Sequence, residues 1–205
     1  MKEYRALLSR VDVWYQTAKR EHPAQVPCSI GCRDCCLGLF EISLADRKLL
    51  REGLSKADAK TRRDIERRAE KILRQLRKAY PDLGETLEGF APEEIDELCD
   101  LLGAVECPAL GKKGECRLYD HRPLVCRLCG VPVVDKSGKV IDPDGCGKCT
   151  LRPKETPRLD YAALRRKETA ILKRLSPRGS EVTLLLPQAF SARSGTTLDR
   201  AGKLR

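Results

Sequence analysis

Ten of the eleven cysteines in this 205-residue chain lie in two stretches, residues 28–36 and residues 107–149. Cysteine thiolates are soft ligands that suit zinc and iron–sulfur clusters. The first stretch reads Cys28-Ser-Ile-Gly-Cys32-Arg-Asp-Cys35-Cys36, and thiols spaced this closely can wrap one ion or cluster. The second stretch supplies the other six. The predicted metal ligands are Cys28, Cys32, Cys35, Cys36, Cys107, Cys116, Cys126, Cys129, Cys146 and Cys149.

The second stretch contains two close cysteine pairs with a predicted β-hairpin between them. The pairs are Cys126-Arg-Leu-Cys129 and Cys146-Gly-Lys-Cys149, and the hairpin is predicted from valine-rich segments at 131–134 and 140–141 around a glycine-containing turn. Taken alone, this pattern is typical of a zinc ribbon. The eleventh cysteine, Cys99, shares a helical apolar face with Ile95, Leu98 and Leu102, so we expect it in the core and not at a metal.

The surrounding sequence favours metal ligation over disulfides. The first ten residues contain four charged side chains and no apolar run, which predicts no secretory signal and therefore reduced thiols in the cytoplasm. No stretch approaches the ~20 apolar residues that a transmembrane helix needs. The net charge of +10 favours acidic partners without identifying one, since nucleic acid, an anionic surface and a protein partner or substrate all qualify.

The pattern of apolar residues predicts a mainly α fold with small β-hairpin and loop elements, in a single small domain organised around a cysteine-ligated metal site. Ser43 with Asp46 is predicted to begin one helix and Gly53 to end it. The predicted divisions are an N-terminal amphipathic helix (1–27), a metal-binding domain (28–152) with inserted helices (43–80 and 92–102), a C-terminal helix and short strand (153–187), and a mobile basic tail (188–205).

The inserted helices carry opposite charges. Many arginines and lysines lie between residues 60 and 78, interleaved with Asp64, Glu66 and Glu70, while residues 85–100 are acidic. We interpret the basic run as a solvated helix face, with phosphate or partner binding as the alternative. An acidic helix lying near the basic one would account for both charge runs without a partner.

Both cysteine stretches resemble the YkgJ-like cysteine-cluster proteins, a family associated with zinc or iron chelation. The first motif ends in the adjacent Cys35 and Cys36, and the second is Cys107, Cys116 and then Arg122-Pro-Leu-Val-Cys126-Arg127. The resemblance implies one cluster built from both motifs, holding zinc or iron, with an iron–sulfur cluster as one form. A similar cysteine motif in flagellin lysine N-methylases suggests an iron–sulfur enzyme as an alternative.

Cationic side chains near the cysteines are candidates to support the site. We predict that Arg122 and Arg127 donate hydrogen bonds to thiolates or bound sulfides, as residues that bind the cofactor through its ligands. His121 is a weaker candidate ligand, because thiolates already exceed the four that a tetrahedral site takes. Three functions stay open: a metal-binding protein, an iron–sulfur redox or protein-modifying enzyme, and a nucleic-acid-binding zinc module. The last is weakened by the scarcity of aromatic side chains for base stacking. No motif identifies catalytic residues.

Overall fold

Helices dominate the computed structural model, which describes residues 1–29, 31–143, 145–176 and 182–191. The strands are short and form two antiparallel pairs. This arrangement confirms the prediction of a mainly α domain with small β elements. The helices are α1 (Lys2–Glu21), α2 (Leu44–Lys56), α3 (Ala59–Ala79), α4 (Pro92–Asp100), α5 (Leu124–Leu128) and α6 (Tyr161–Leu175); the strands are β1 (Glu41–Ser43), β2 (Val133–Val134), β3 (Val140–Asp142) and β4 (Thr183–Leu185).

The chain divides into two compact units. Unit 1 comprises Met1–Cys35 and Leu124–Ile171, and unit 2 comprises Cys36–Pro123 and the described residues that follow Ile171. Of the predicted ligands, Cys36, Cys107 and Cys116 lie in unit 2 and the other seven in unit 1.

In unit 1, α1 buries one face, and α5 packs against this helix. Trp14 is 6% exposed, and its indole N–H donates a hydrogen bond to the carbonyl of Pro157 at 2.7 Å. The β2–β3 hairpin forms where the valine pattern predicts it, with Val133 paired to Asp142 and Val134 to Val140.

In unit 2, α2 and α3 cover the β1–β4 pair and the turn that follows β4. Ile42, Ile65, Leu184 and Phe190 are buried in one apolar cluster, and Leu73, Leu76 and Leu98 in a second. Strands β1 and β4 are distant in sequence and pair antiparallel, with Glu41 opposite Leu185.

A local capping signal places the start of α2 correctly. The Ser43 hydroxyl accepts a hydrogen bond from the Asp46 N–H, and the Asp46 carboxylate accepts one from the Ser43 N–H, which makes the predicted capping box. The end of α2 differs from its prediction, because the helix continues through Gly53 to Lys56. A side chain at Gly53 would lie 2.7 Å from the His121 ring, so the glycine admits a close neighbour and does not end the helix.

The predicted C-terminal tail, 188–205, lies outside the described residues except for its first four. Gln188, Ala189, Phe190 and Ser191 are buried in unit 2. Among the described helices, none combines the length and apolar character that crossing a bilayer requires.

Candidate metal centre

Six predicted ligands from both cysteine stretches form one thiol group in unit 1. Cys28 interacts electrostatically with Cys32, Cys35 and Cys146. Cys129 is hydrogen-bonded to Cys35 and also interacts with Cys126 and Cys146. We call this set the unit 1 thiol cluster; its members are Cys28, Cys32, Cys35, Cys126, Cys129 and Cys146. The seventh thiol of the unit, Cys149, interacts with Cys146.

Short turns and one short helix position these thiols. The N–H of Cys32 donates to the Ser29 carbonyl, and Cys35 lies in a single 3-10 turn. Helix α5 carries Cys126, and the Cys129 N–H donates to the Val125 carbonyl at the end of that helix. The backbone thus bends tightly at each motif, as closely spaced thiols require if they are to face a common region.

A tyrosine from α1 contacts the cluster. The Tyr15 hydroxyl donates a hydrogen bond to the Cys28 thiolate, which favours the charged form, while burial acts more strongly and raises the pKa of Cys28 overall. Gly130 follows the second motif with φ at +116°, a backbone conformation that side chains disfavour. A Cβ at Gly130 would lie 3.3 Å from the Tyr15 ring and 3.5 Å from the Cys28 sulfur, so this glycine leaves room for both groups.

The thiol–thiol hydrogen bond between Cys35 and Cys129 favours the protonated form of Cys129. This bond, together with burial and the charges of neighbouring cysteines, raises the pKa of Cys129 well above its ordinary value. Metal ligation requires thiolates, so a metal that binds here displaces protons.

A lysine and a carboxylate lie at one edge of the cluster. The Lys148 ammonium is 3.0 Å from the Asp34 carboxylate and 4.0 Å from the Cys32 sulfur. The hydrogen bond to Asp34 and the nearby Cys32 raise the pKa of Lys148, so the ammonium keeps its charge.

Two of the three predicted ligands of unit 2, Cys107 and Cys116, pack against its apolar core. The Cys107 N–H donates to the Cys36 carbonyl at 2.8 Å, and the Cys107 and Cys116 thiols interact electrostatically. Burial raises the pKa of Cys107 to about 11. Cys99 packs against the Leu98 cluster as its helical pattern predicts, and burial raises its pKa also to about 11.

The two predicted arginines make contacts that do not test their proposed role. Arg127 is buried in unit 1 and forms an ion pair with Asp12. The guanidinium of Arg122 stacks 3.7 Å above the Tyr119 ring in unit 2. His121 packs against Gly53 in that unit. Donation to thiolates by Arg122 and Arg127 therefore stays a prediction.

The donor chemistry of the unit 1 thiol cluster fits a soft metal. Among the described residues, no three Cys, His, Asp or Glu side chains already surround a common point suitable for an ion. A tetrahedral thiolate site needs four sulfurs at about 2.3 Å from one ion. Binding would therefore draw neighbouring thiols together as their protons leave. Four thiolates from this cluster would suffice for a zinc site or an iron–sulfur cluster.

Sequence reasoning missed two contacts at this centre. Tyr15 lies among the apolar residues that recur at helical spacing in α1, and this pattern predicts a position in the core. A buried tyrosine usually finds a polar partner for its hydroxyl, which is the signal that could have indicated the contact. The Lys148–Asp34 ion pair joins residues far apart in sequence, and no local pattern predicts it.

Comparisons with known proteins agree with this chemistry. No curated protein and no solved structure matches the chain. A family model described as CxxCxxCC, "putative zinc- or iron-chelating domain", matches residues 27–137, which is more than half of the 205 residues. The chain therefore belongs to the CxxCxxCC family.

Proposed function

We propose that this protein binds zinc or iron through the unit 1 thiol cluster, using cysteines from both sequence motifs in one site. The observation that carries the proposal is the electrostatic contact of Cys129 with Cys35, Cys126 and Cys146. These thiols come from three separate places in the sequence. Burying several thiolates next to one another is costly unless a cation compensates their charge. Family membership supports a metal in general, and the cluster supports a particular set of ligands.

The ligand count leaves two forms of the site. Four thiolates suffice for a closed zinc site or for one iron–sulfur cluster. The six thiols of the cluster exceed that number, which also allows a second ion that shares sulfurs with the first. A closed zinc site would organise the unit, whereas an iron–sulfur cluster would add redox chemistry.

Metal analysis of the full chain, purified without oxygen and without added metal, tests the proposal. We expect bound metal in the wild type, with iron and acid-labile sulfide in a coloured sample or zinc in a colourless one. Cys35→Ser and Cys126→Ser should each lower the content of the same metal, because the proposed site draws ligands from both motifs. Independent losses, each sparing a different metal, would contradict a shared site.

Two further variants define the ligand set. Cys99→Ser should keep the wild-type metal content, because Cys99 packs in the apolar core of unit 2. Cys107→Ser asks whether unit 2 thiols contribute, and a lower metal content in this variant would show that they do. Metal loss in Cys99→Ser would contradict the assignment of Cys99 to the apolar core and not to the metal.

A further inference from the structure

Helix α3 presents a row of cations on the face opposite its buried side. The row consists of six lysines and arginines. At about 100° per residue, their positions fall within an arc of about 80° on the helix circumference. The buried face of the helix contains Ile65, Ala69, Ile72, Leu73 and Leu76. The six cations, here called the α3 basic stripe, are Lys60, Arg63, Arg67, Lys71, Arg74 and Lys78, and all are exposed.

The acidic residues of α3 do not neutralise this stripe. Asp64, Glu66 and Glu70 flank it and are half-buried. The Asp64 carboxylate is 2.8 Å from the Arg117 guanidinium, and it also pairs with Arg67 at 2.6 Å. Glu70 pairs with Arg77 at 3.5 Å.

The stripe therefore keeps most of its charge uncompensated. In the described part of the chain, Arg67 is the one stripe member with an ion pair. Helix α4 packs against α3 through Leu98, which shares an apolar cluster with Leu73 and Leu76, and Tyr80 donates a hydrogen bond to Glu97. No ion pair among the described residues joins the two helices. The interleaved acids of the basic run lie to the sides of the stripe, while its six cations are exposed.

Such a row costs helix stability. Arg63 and Arg67, Arg67 and Lys71, and Arg74 and Lys78 are like charges four residues apart, and each such pair destabilises a helix by about 0.2–0.5 kcal/mol. A polyanion bound along the helix would offset this repulsion, because each cation would then lie beside a negative charge. The stripe spans about 27 Å from Lys60 to Lys78 at the rise of an α-helix.

We propose that the α3 basic stripe docks on the phosphate backbone of duplex nucleic acid without reading its sequence. A duplex offers one negative charge per ~1.7 Å of its axis, so a straight row of cations meets phosphates in any register. The stripe contains no aromatic side chain, which disfavours single strands that bind by base stacking. An anionic membrane fits less well, because the apolar residues of α3 are buried in unit 2 and cannot enter a bilayer.

Fluorescence anisotropy with a labelled ~20-base-pair DNA duplex of arbitrary sequence tests the proposal on the full chain as purified. We expect a micromolar dissociation constant at low salt and the same affinity for a second, unrelated sequence. The variant Arg63→Gln/Lys71→Gln/Arg74→Gln/Lys78→Gln should bind at least ~10-fold more weakly at about 100 mM salt. The slope of log K against log salt should fall in magnitude by about 3 to 4, at ~0.9 per lost phosphate contact.

A charge-matched control separates the stripe from the net charge of +10. Arg10→Gln/Lys139→Gln/Arg166→Gln/Lys167→Gln removes four exposed cations from other elements and should keep the wild-type salt slope within about 1. The milder Lys71→Gln/Arg74→Gln should reduce the slope by about 2, which keeps the test valid if the fourfold variant is unstable. Circular dichroism and metal content should match the wild type in each variant.

Three results would overturn the proposal. One is equal weakening in the stripe and control variants, which would assign binding to net charge. Another is no detectable binding of the duplex at low salt. The third is stripe-dependent binding to phosphatidylserine vesicles that duplex DNA fails to compete, which would identify a membrane surface as the partner.

Discussion

At the scale of single residues, the contact between Tyr15 and Cys28 is the most informative feature of the centre. The tyrosine comes from a long helix with a buried face, and its hydroxyl reaches a predicted ligand in a loop. A hydrogen bond to a thiolate lowers the electron density on sulfur and holds the ligand in one orientation. Tyr15 would therefore position Cys28 for a metal without binding the metal itself.

Removing the Tyr15 hydroxyl tests this role. We expect Tyr15→Phe to weaken metal affinity by about 10-fold, in the range known for residues that orient ligands, while the fold is kept because the ring remains. Competition with a chelator of known affinity measures the change. Tyr119→Phe removes a hydroxyl from an exposed ring in unit 2 and should leave affinity unchanged. Equal affinities for Tyr15→Phe and the wild type would contradict the role.

At the scale of elements, the turn after the second motif depends on a glycine for two separate reasons. Gly130 has a positive φ, and its missing side chain leaves space for Tyr15 and Cys28. Gly138, in the hairpin turn, also has a positive φ, at +91°, but a Cβ there would meet nothing within 4 Å. A substitution at Gly138 therefore adds backbone strain alone, whereas a substitution at Gly130 adds strain and also crowds Tyr15 and Cys28.

Alanine at these glycines should have different consequences. Both Gly130→Ala and Gly138→Ala should lower the free energy of unfolding by about 1–2 kcal/mol, because alanine disfavours positive φ. Gly130→Ala alone should also weaken metal binding, by about 10-fold, since its methyl group crowds a ligand and the side chain that orients it. Urea titration and chelator competition measure the two effects. Equal metal affinity in both variants would show that the space at Gly130 does not serve the site.

The β2–β3 turn and the first turn of α6 are joined through Asp135. Its carboxylate accepts hydrogen bonds from the Ser137 N–H at 2.9 Å and from the Ala162 N–H at 3.0 Å. These backbone donors hold the pKa of Asp135 well below its ordinary value, because they stabilise the charged form. A pKa lowered by folding stabilises the protein above the unfolded pKa, and that stabilisation is lost as pH falls through the folded pKa.

Asp135→Asn should therefore lower the urea midpoint at pH 7. The difference from the wild type should shrink as pH falls from about 4, the ordinary pKa of aspartate, toward about 2. Urea titrations at several pH values measure this trend. Asp82→Asn, at an exposed position in unit 2, should show no comparable difference. A pH-independent effect of Asp135→Asn would mean that lost packing, and not charge, is responsible.

At the scale of the whole molecule, metal binding should matter most to unit 1. Its candidate ligands lie in turns and in the short helix α5, whereas unit 2 has two apolar clusters around α3. A ligand stabilises the folded state by mass action, and that stabilisation is lost when the ligand is removed. The single tryptophan of the chain, Trp14, is buried in unit 1 and reports on that unit.

Removal of the metal with a strong chelator should therefore shift Trp14 emission to longer wavelength. Hydrogen exchange should also quicken in residues 124–134 and 146–151, because the turns that carry the thiols lose their cross-link. Amides of α3 between Ile65 and Leu76 should stay protected, since they lie in the apolar core of unit 2. Cys35→Ser should show little response to the chelator. Deprotection of α3 as large as that of unit 1 would contradict a local effect.

Features with local causes could be predicted from the sequence. The capping box at Ser43, the β2–β3 hairpin and the apolar face that contains Cys99 each depend on residues a few positions apart, and all three are found in the structure. The role of Gly53 could not be predicted in this way. The glycine accommodates the His121 ring, and the approach of a residue so distant in sequence leaves no local signal.

The sequence alone determined the chemistry of this protein: ten clustered cysteines, a mainly helical domain and a strongly basic helix. Tertiary structure decided which of these groups meet. Cys35 joins the unit 1 thiol cluster while its neighbour Cys36 belongs to unit 2, and the acids of α3 flank its outermost cations without covering them. Spacing along the chain limits which groups can share a loop or a helix face. Contacts between distant segments depend on how the apolar faces pack, and this packing brings Tyr15 to Cys28.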